Sequence, residues 1–253
     1  MITRPLSLVG RRELFLFLGA YLLYSMSRYV SVGDLGTAVG HAEWIVSLER
    51  SLSVNVESGV QTALAGGWVI WVLNQLYLAA QLIVVPGTLI LLYKRNRGVY
   101  VKLRNTVLAT WLIAMPIYAL YPCAPPRLAG IGMLDTITSG GGVRLDSALT
   151  TSFYNPLAAV PSLHAGFALA VGVALAASFS NRFAKAAALS WAPLIGLAVV
   201  ATGNPFVFDI AAGVVVTVAG YVAGNAVDRK LAGHRPWRRP LLHVGGPDAP
   251  ATA

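Results

Sequence analysis

WVIWVLNQLYLAAQLIVVPGTLILLY, residues 68–93, carries no charge over its whole length and runs straight into KRNR at 94–97. An α-helix needs about 20 apolar residues to cross ~30 Å of hydrocarbon, so this run is long enough to span a bilayer. The basic cluster at its end reads as a cytoplasmic flank. Outward from it, five further apolar runs follow the same reading, at 13–32, 106–122, 157–178, 184–202 and 208–227. Pro116 and Pro193 interrupt the third and fifth of the six, which a bundle tolerates because neighbouring helices re-satisfy the freed carbonyls. The expected fold is an all-α integral membrane protein with a six-helix bundle.

Composition agrees. Of 253 residues, 56% are hydrophobic and 11% charged, where a soluble domain carries about 25% charged residues. Too few polar side chains exist to cover a water-facing surface. The net charge of +9 does not point to nucleic acid, because the basic residues cluster between apolar runs. With the N-terminus inside, Arg4, Arg11, Arg12, Lys94, Arg95, Arg97, Lys102, Arg104, Arg182, Lys185, Arg229, Lys230, Arg235, Arg238 and Arg239 fall on the cytoplasmic side, fifteen of nineteen. Only Arg28, Arg50, Arg127 and Arg144 fall outside. The bias predicts N-in and C-in orientation in the cell membrane. The single Cys123 excludes an intrachain disulfide and argues against a thiolate metal cluster. No metal or cofactor is expected, and no cleavable signal is evident.

The organisation expected is a cytoplasmic N-terminus (1–12), a membrane domain (13–227) and a basic, Pro-rich tail (228–253) without fixed structure. Residues 34–66 read as an amphipathic helix lying in the outer interface. Residues 123–155, with glycines at 140–142, read as a loop over the mouth of the bundle. No internal repeat of the kind transporters carry is visible.

Arg127, His164 and Asp209 all fall at the outer face on this topology, where charged groups are costly and mark sites. An Arg fork holds phosphate oxygens, a histidine moves the leaving-group proton, and a carboxylate orients a second, nucleophilic histidine. Structural readings compete. Arg127 after two prolines caps a helix end or snorkels, His164 is a bundle histidine, and Asp209 complements a helix dipole. Asn204-Pro205 reads as an N-cap followed by proline at the first helical position.

The segments YPCAPPRL (121–128), NPLAAVPSLHAG (155–166) and TGNPFVFDIAAG (202–213) together resemble the type 2 phosphatidic acid phosphatase superfamily. The chain most resembles the bacterial branch related to inositol phosphorylceramide synthase, and the resemblance extends to HAEWIVSLERSL (41–52) and ESGVQ (57–61). The resemblance covers roughly residues 40–220. It implies a six-helix bundle with an outward site and metal-free removal or transfer of phosphoryl or phosphoalcohol groups on a lipid phosphate or phospholipid. It also implies roles. Arg127 holds the phosphate, helped by Ser162 and the amides that follow, His164 protonates the leaving alkoxide, and Asp209 orients a nucleophilic histidine expected at position 205. That position is Pro205, 41 residues after His164, and proline cannot form a phosphohistidine. The resemblance therefore leaves two functions open. One is an enzyme of altered mechanism, with His164 as general base or His41 recruited. The other is a lipid-phosphate binder that does not turn over. A structural or transport protein with a vestigial site is a third, bland reading.

Overall fold

The computed structural model describes residues 13, 15–19, 22, 34–64, 66–139 and 155–233. Arg28, Arg144, the glycines at 140–142, most of the first apolar run and the tail beyond 233 lie outside the described residues. Among the described residues there is no strand, only one isolated parallel bridge between Cys123 and Ala158.

The helices are α1 (Leu35–Ser51), α2 (Glu57–Leu64), α3 (Gly67–Ala79), α4 (Val85–Arg95), α5 (Arg97–Leu120), α6 (Thr136–Ser139), α7 (Leu163–Ser178), α8 (Arg182–Leu189), α9 (Trp191–Ala201) and α10 (Val207–Gly233). Among the described residues, four stretches are long and apolar enough to cross a membrane: Gly67–Arg95, Arg97–Leu120, Arg182–Ala201 and Val207–Lys230. Only 28–39% of each is buried within the protein. Residues such as Trp68, Leu82, Leu112, Phe183 and Val215 point outward, as expected where lipid is the solvent.

Several expected boundaries shift, each for a local reason. Residues 68–93 are not one uniform helix: α3 and α4 are joined by a π-helical turn at Ala80–Val84. Pro86 lacks an N–H and crowds the carbonyl four residues earlier, so the helix widens just ahead of it, with Val85 N–H bonding Ala80 O. The third run begins at Arg97, nine residues before the expected 106, and passes through Pro116 unbroken. Its early charges are tolerated because Arg104 pairs with Glu13 at 2.6 Å. The fourth helix begins at Leu163 rather than 157, since Pro156 and Pro161 keep the preceding stretch irregular. The fifth run divides at Ser190 into α8 and α9.

The 16-residue α7 is apolar on every side and lies at the centre. Phe167 and Val171 pack with Leu89, Leu92, Leu103 and Val107 of α4 and α5. Ala168 packs with Tyr77, Ile195 and Val199 of α3 and α9. α10 lies along α5, where Gly220 admits the Thr110 backbone: a Cβ on Gly220 would sit 2.8 Å from Thr110 N.

Helix polarity sorts the bundle into two ends. Asn96 alone joins α4 to α5, so Lys94, Arg95, Arg97, Lys102 and Arg104 gather at one end. Arg182, Lys185, Arg229 and Lys230 belong to the same end by the direction of α8, α9 and α10. α1, α2, the end of α5, and the starts of α7 and α10 form the other.

Candidate functional site

At that second end the three motif segments are knit together by backbone. Cys123 N–H donates to Leu157 O at 2.8 Å and Ala159 N–H to Cys123 O at 3.2 Å, joining 121–128 to 155–166. Ala124 N–H donates to Ala38 O at 3.0 Å, tying both to α1. Tyr118 O–H donates to Pro161 O at 2.6 Å. Ser162 N–H donates to Asp209 O at 2.9 Å, and Gly213 makes that contact possible. A Cβ there would collide with Ser162 O and lie 3.0 Å from its carbonyl carbon.

Arg127 follows Pro125-Pro126 on a short 3₁₀ turn, Pro126–Leu128. Its N–H donates to Gly203 O at 3.1 Å, across the sharp turn that Gly203 makes at φ +71°. Its guanidinium donates through Nη1 to Asn204 Oδ1 and meets Asp135 Oδ2 at 3.5 Å through Nε, with the Arg127 side chain 2% exposed. Asp135 is fixed in turn by capping α6 through Ile137 N–H and Thr138 N–H. Two buried amides hold that loop. Gln61 donates to Leu134 O and Ala201 O and accepts from Leu134 N–H. Asn74, inside α3, exchanges hydrogen bonds with Thr136 at 2.7 and 2.9 Å.

Pro205 is buried between these contacts, and its structural reading needs correcting. α10 starts at Val207, so proline is not at the first helical position, and Asn204 is not the cap. Asn204 spends its side chain on Arg127 and on Thr202. Phe206 occupies the N-cap position, its carbonyl accepting from Ile210 N–H, while Asp209 Oδ2 reaches back to Phe206 N–H at 2.9 Å. That is the returning arm of a capping box. Asp209 Oδ1 is buried with no hydrogen-bond partner.

The next two amides of α10 are also met by carboxylates from distant segments. Val207 N–H donates to Glu57 Oε1 at 2.9 Å and Phe208 N–H to Glu49 Oε1 at 2.7 Å. Both glutamates are 1% exposed. A Schellman turn brings them side by side, with Ser53 N–H bonding Arg50 O, Val54 N–H bonding Glu49 O and Ser53 at φ +57°. Burial first, then its neighbour Glu57, pushes the Glu49 carboxyl up to about 7 despite the Phe208 bond. Glu49, Glu57 and Gln61 lie in segments quoted from the sequence without a task, and Asn204 was read only as a cap; the fold gives all four long-range hydrogen bonds.

His164 sits in the first turn of α7, half-buried, its ring stacked on Tyr77 at 4.1 Å. Ser162 is the N-cap of α7 and makes no side-chain cap bond. His41 on α1 stacks on Tyr121 at 4.0 Å. Its Nδ1 donates to Pro122 O at 2.7 Å, since a carbonyl can only accept. Hydrogen bonds thus form two pairs on either side of Pro205, Arg127 with Asn204 and Ser162 with Asp209, and His164 lies two residues beyond Ser162 on α7.

A family model of the PAP2 superfamily matches residues 43–223, from α1 to well along α10. The chain belongs to the PAP2 superfamily. No curated protein and no solved structure matches it. PAP2 membership points to phosphatase- or phosphotransferase-type activity on lipid phosphate, and the four apolar helices are compatible with a multi-pass membrane protein. Among the described residues no group of His, Cys, Asp and Glu is placed to hold a metal ion.

Proposed function

We propose that this PAP2 protein is a membrane-embedded phosphatase or phosphotransferase acting on a lipid phosphate or phosphoalcohol headgroup. Its nearest branch is that of the inositol phosphorylceramide synthases. The observation that carries the reading is the arrangement on either side of Pro205: Arg127 is fixed to Asn204 one residue before it, and Asp209 to the Phe206 amide one residue after. That arrangement supports Arg127 as the cation for phosphate and Asp209 as the orienting carboxylate.

The roles follow. Arg127 takes the phosphate oxygens, with Ser162 and the first amides of α7 completing an anion cradle at a helix N-terminus. His164 takes the proton from an attacking water or lipid hydroxyl in a direct in-line displacement, because Pro205 offers no nucleophile. The site faces outward if the basic end of the bundle lies in the cytoplasm, with six spans in all and α1 in the interface. A second reading, a lipid-phosphate binder without turnover, is favoured by Pro205 itself.

One experiment separates them. Purified protein in lipid nanodiscs is assayed on a panel of lipid phosphates and phospholipids beside Arg127→Ala, His164→Ala and Pro205→His. Turnover above both alanine variants supports the direct mechanism. Arg127-dependent binding without turnover supports the binder. Pro205→His is expected to raise activity by orders of magnitude, since Asp209 Oδ1 is unpartnered beside it and nucleophile loss costs about a million-fold in another enzyme class. An inert but folded Pro205→His with no lipid binding to the parent protein defeats both readings.

A further inference from the structure

We infer that Glu49 and Glu57 hold one proton between them, as a carboxylic acid–carboxylate pair that clamps the first turn of α10 and with it the segment from Asn204 to Asp209. The geometry begins with the two consecutive amides of Val207 and Phe208, which the two carboxyls cap at 2.9 and 2.7 Å. Consecutive amides at a helix start point the same way, so their acceptors must be neighbours. Glu57 indeed lies within hydrogen-bonding reach of Glu49. Glu57 Oε2 also accepts from Asn55 Nδ2 at 3.1 Å, whereas Glu49 Oε2 is buried with no donor.

Two touching, fully ionised carboxylates away from water repel each other and leave that oxygen unpaired. A proton on Glu49 Oε2 removes both penalties at once, because it supplies a donor that Glu57 accepts. Asn55 also faces Glu49, but its Nδ2 donates to Glu57 Oε2 at 3.1 Å and leaves Glu49 Oε2 without a donor. Asp209 faces the pair from α10 as a third acid. From the 121–129 segment, burial raises both the Tyr121 hydroxyl and the Cys123 thiol, which keeps them neutral. His41 is turned to Pro122 and Tyr121. Arg50 is exposed and lines a shallow cleft with Val46, Asn55, Glu57, Ser58 and Ile131, which gives protons a route to the pair.

The sign of the pH effect is fixed. The folded-state value of Glu49, about 7, lies above its ordinary 4.5, so the folded chain binds this proton more tightly. The stability it contributes is complete below the ordinary value, falls as pH rises towards 7, and is flat above. The inference concerns the clamp and holds whether or not the site turns over substrate.

The test uses the full-length protein in nanodiscs and an infrared pH titration of the carboxylic acid C=O stretch. The expected result is an acid band that persists to a midpoint near 7 and is absent in Glu49→Gln. Glutamine mimics the protonated acid: its carbonyl accepts from Phe208 and its NH₂ donates to Glu57. Glu49→Gln should therefore match the parent in melting temperature at acid pH, exceed it at pH 8 and lose the parent's slope in between, while Glu49→Ala melts lower throughout. Absence of the band in the parent protein, a measurement that needs no variant to fold, overturns the inference. So does a Glu49→Gln protein that melts lower while keeping the parent's pH slope.

Discussion

Replacing Gly213 by alanine adds one methyl group to α10 and is expected to unfasten α7 from it. The new Cβ would collide with Ser162 O and stand 3.0 Å from Ser162 C and 3.3 Å from Ser162 N, all backbone atoms that cannot rotate away. Relieving the overlap costs about 1–3 kcal/mol as overpacking. Moving Ser162 also breaks its 2.9 Å bond to Asp209 O, which leaves a buried N–H unpaired at about 1–3 kcal/mol more. The combined loss of about 2–6 kcal/mol corresponds to a fall in melting temperature of roughly 5–20 °C, at ~2–4 °C per kcal/mol for a chain of this size. The control is Gly196→Ala in α9, where a Cβ meets nothing within 4 Å. There the same exchange should be neutral or stabilise by up to about 1 kcal/mol, since alanine is the better helix former. Both variants are compared by thermal unfolding in one detergent. Equal melting temperatures, or Gly196→Ala as the more damaged protein, would refute the close approach of Ser162 to Gly213 and the site built on it.

Gln61→Leu removes three hydrogen bonds, two to Leu134 and one to Ala201. A loss of about 2–4 kcal/mol is expected, with faster amide exchange at Leu134 read by hydrogen–deuterium exchange mass spectrometry. Cys123 is fully buried and its thiol is raised by burial and by Asp209. It is the only cysteine, so a maleimide should leave the folded protein unlabelled and label it once on denaturation. Rapid labelling of folded protein would contradict the packing of 121–128 against 155–166.

The apolar runs and their basic flanks already pointed to a helical membrane protein, because a backbone in lipid is satisfied only by helices or closed barrels and unbroken apolar runs of about 20 residues fit the helix. The polar residues that gather at one end were also legible. Arg127, Ser162, His164 and Asp209 were all singled out there, and in the folded chain Ser162 bonds Asp209, Arg127 bonds Asn204 and His164 stacks on Tyr77. Helix starts were less legible, since hydropathy stops at charges that the fold accommodates. The helix starts at Arg97 on an Asn96 cap, whose Oδ1 accepts from Val99 N–H, and the Arg104 charge is met by Glu13, a partner 91 residues away that the local run does not show.

Sequence alone therefore settled the solvent of this protein, its helical class and the motifs that mark its family, all of which follow from composition and short-range order. Only the tertiary structure decided what Asn204, Glu49 and Glu57 do. Locally, Asn204-Pro205 is a good helix cap. In the folded chain Arg127 claims the asparagine, and two glutamates about 150 residues upstream cap the helix instead. Orphan amides at a helix start accept whichever carboxylate the fold delivers, and that delivery depends on long-range packing that no local pattern encodes.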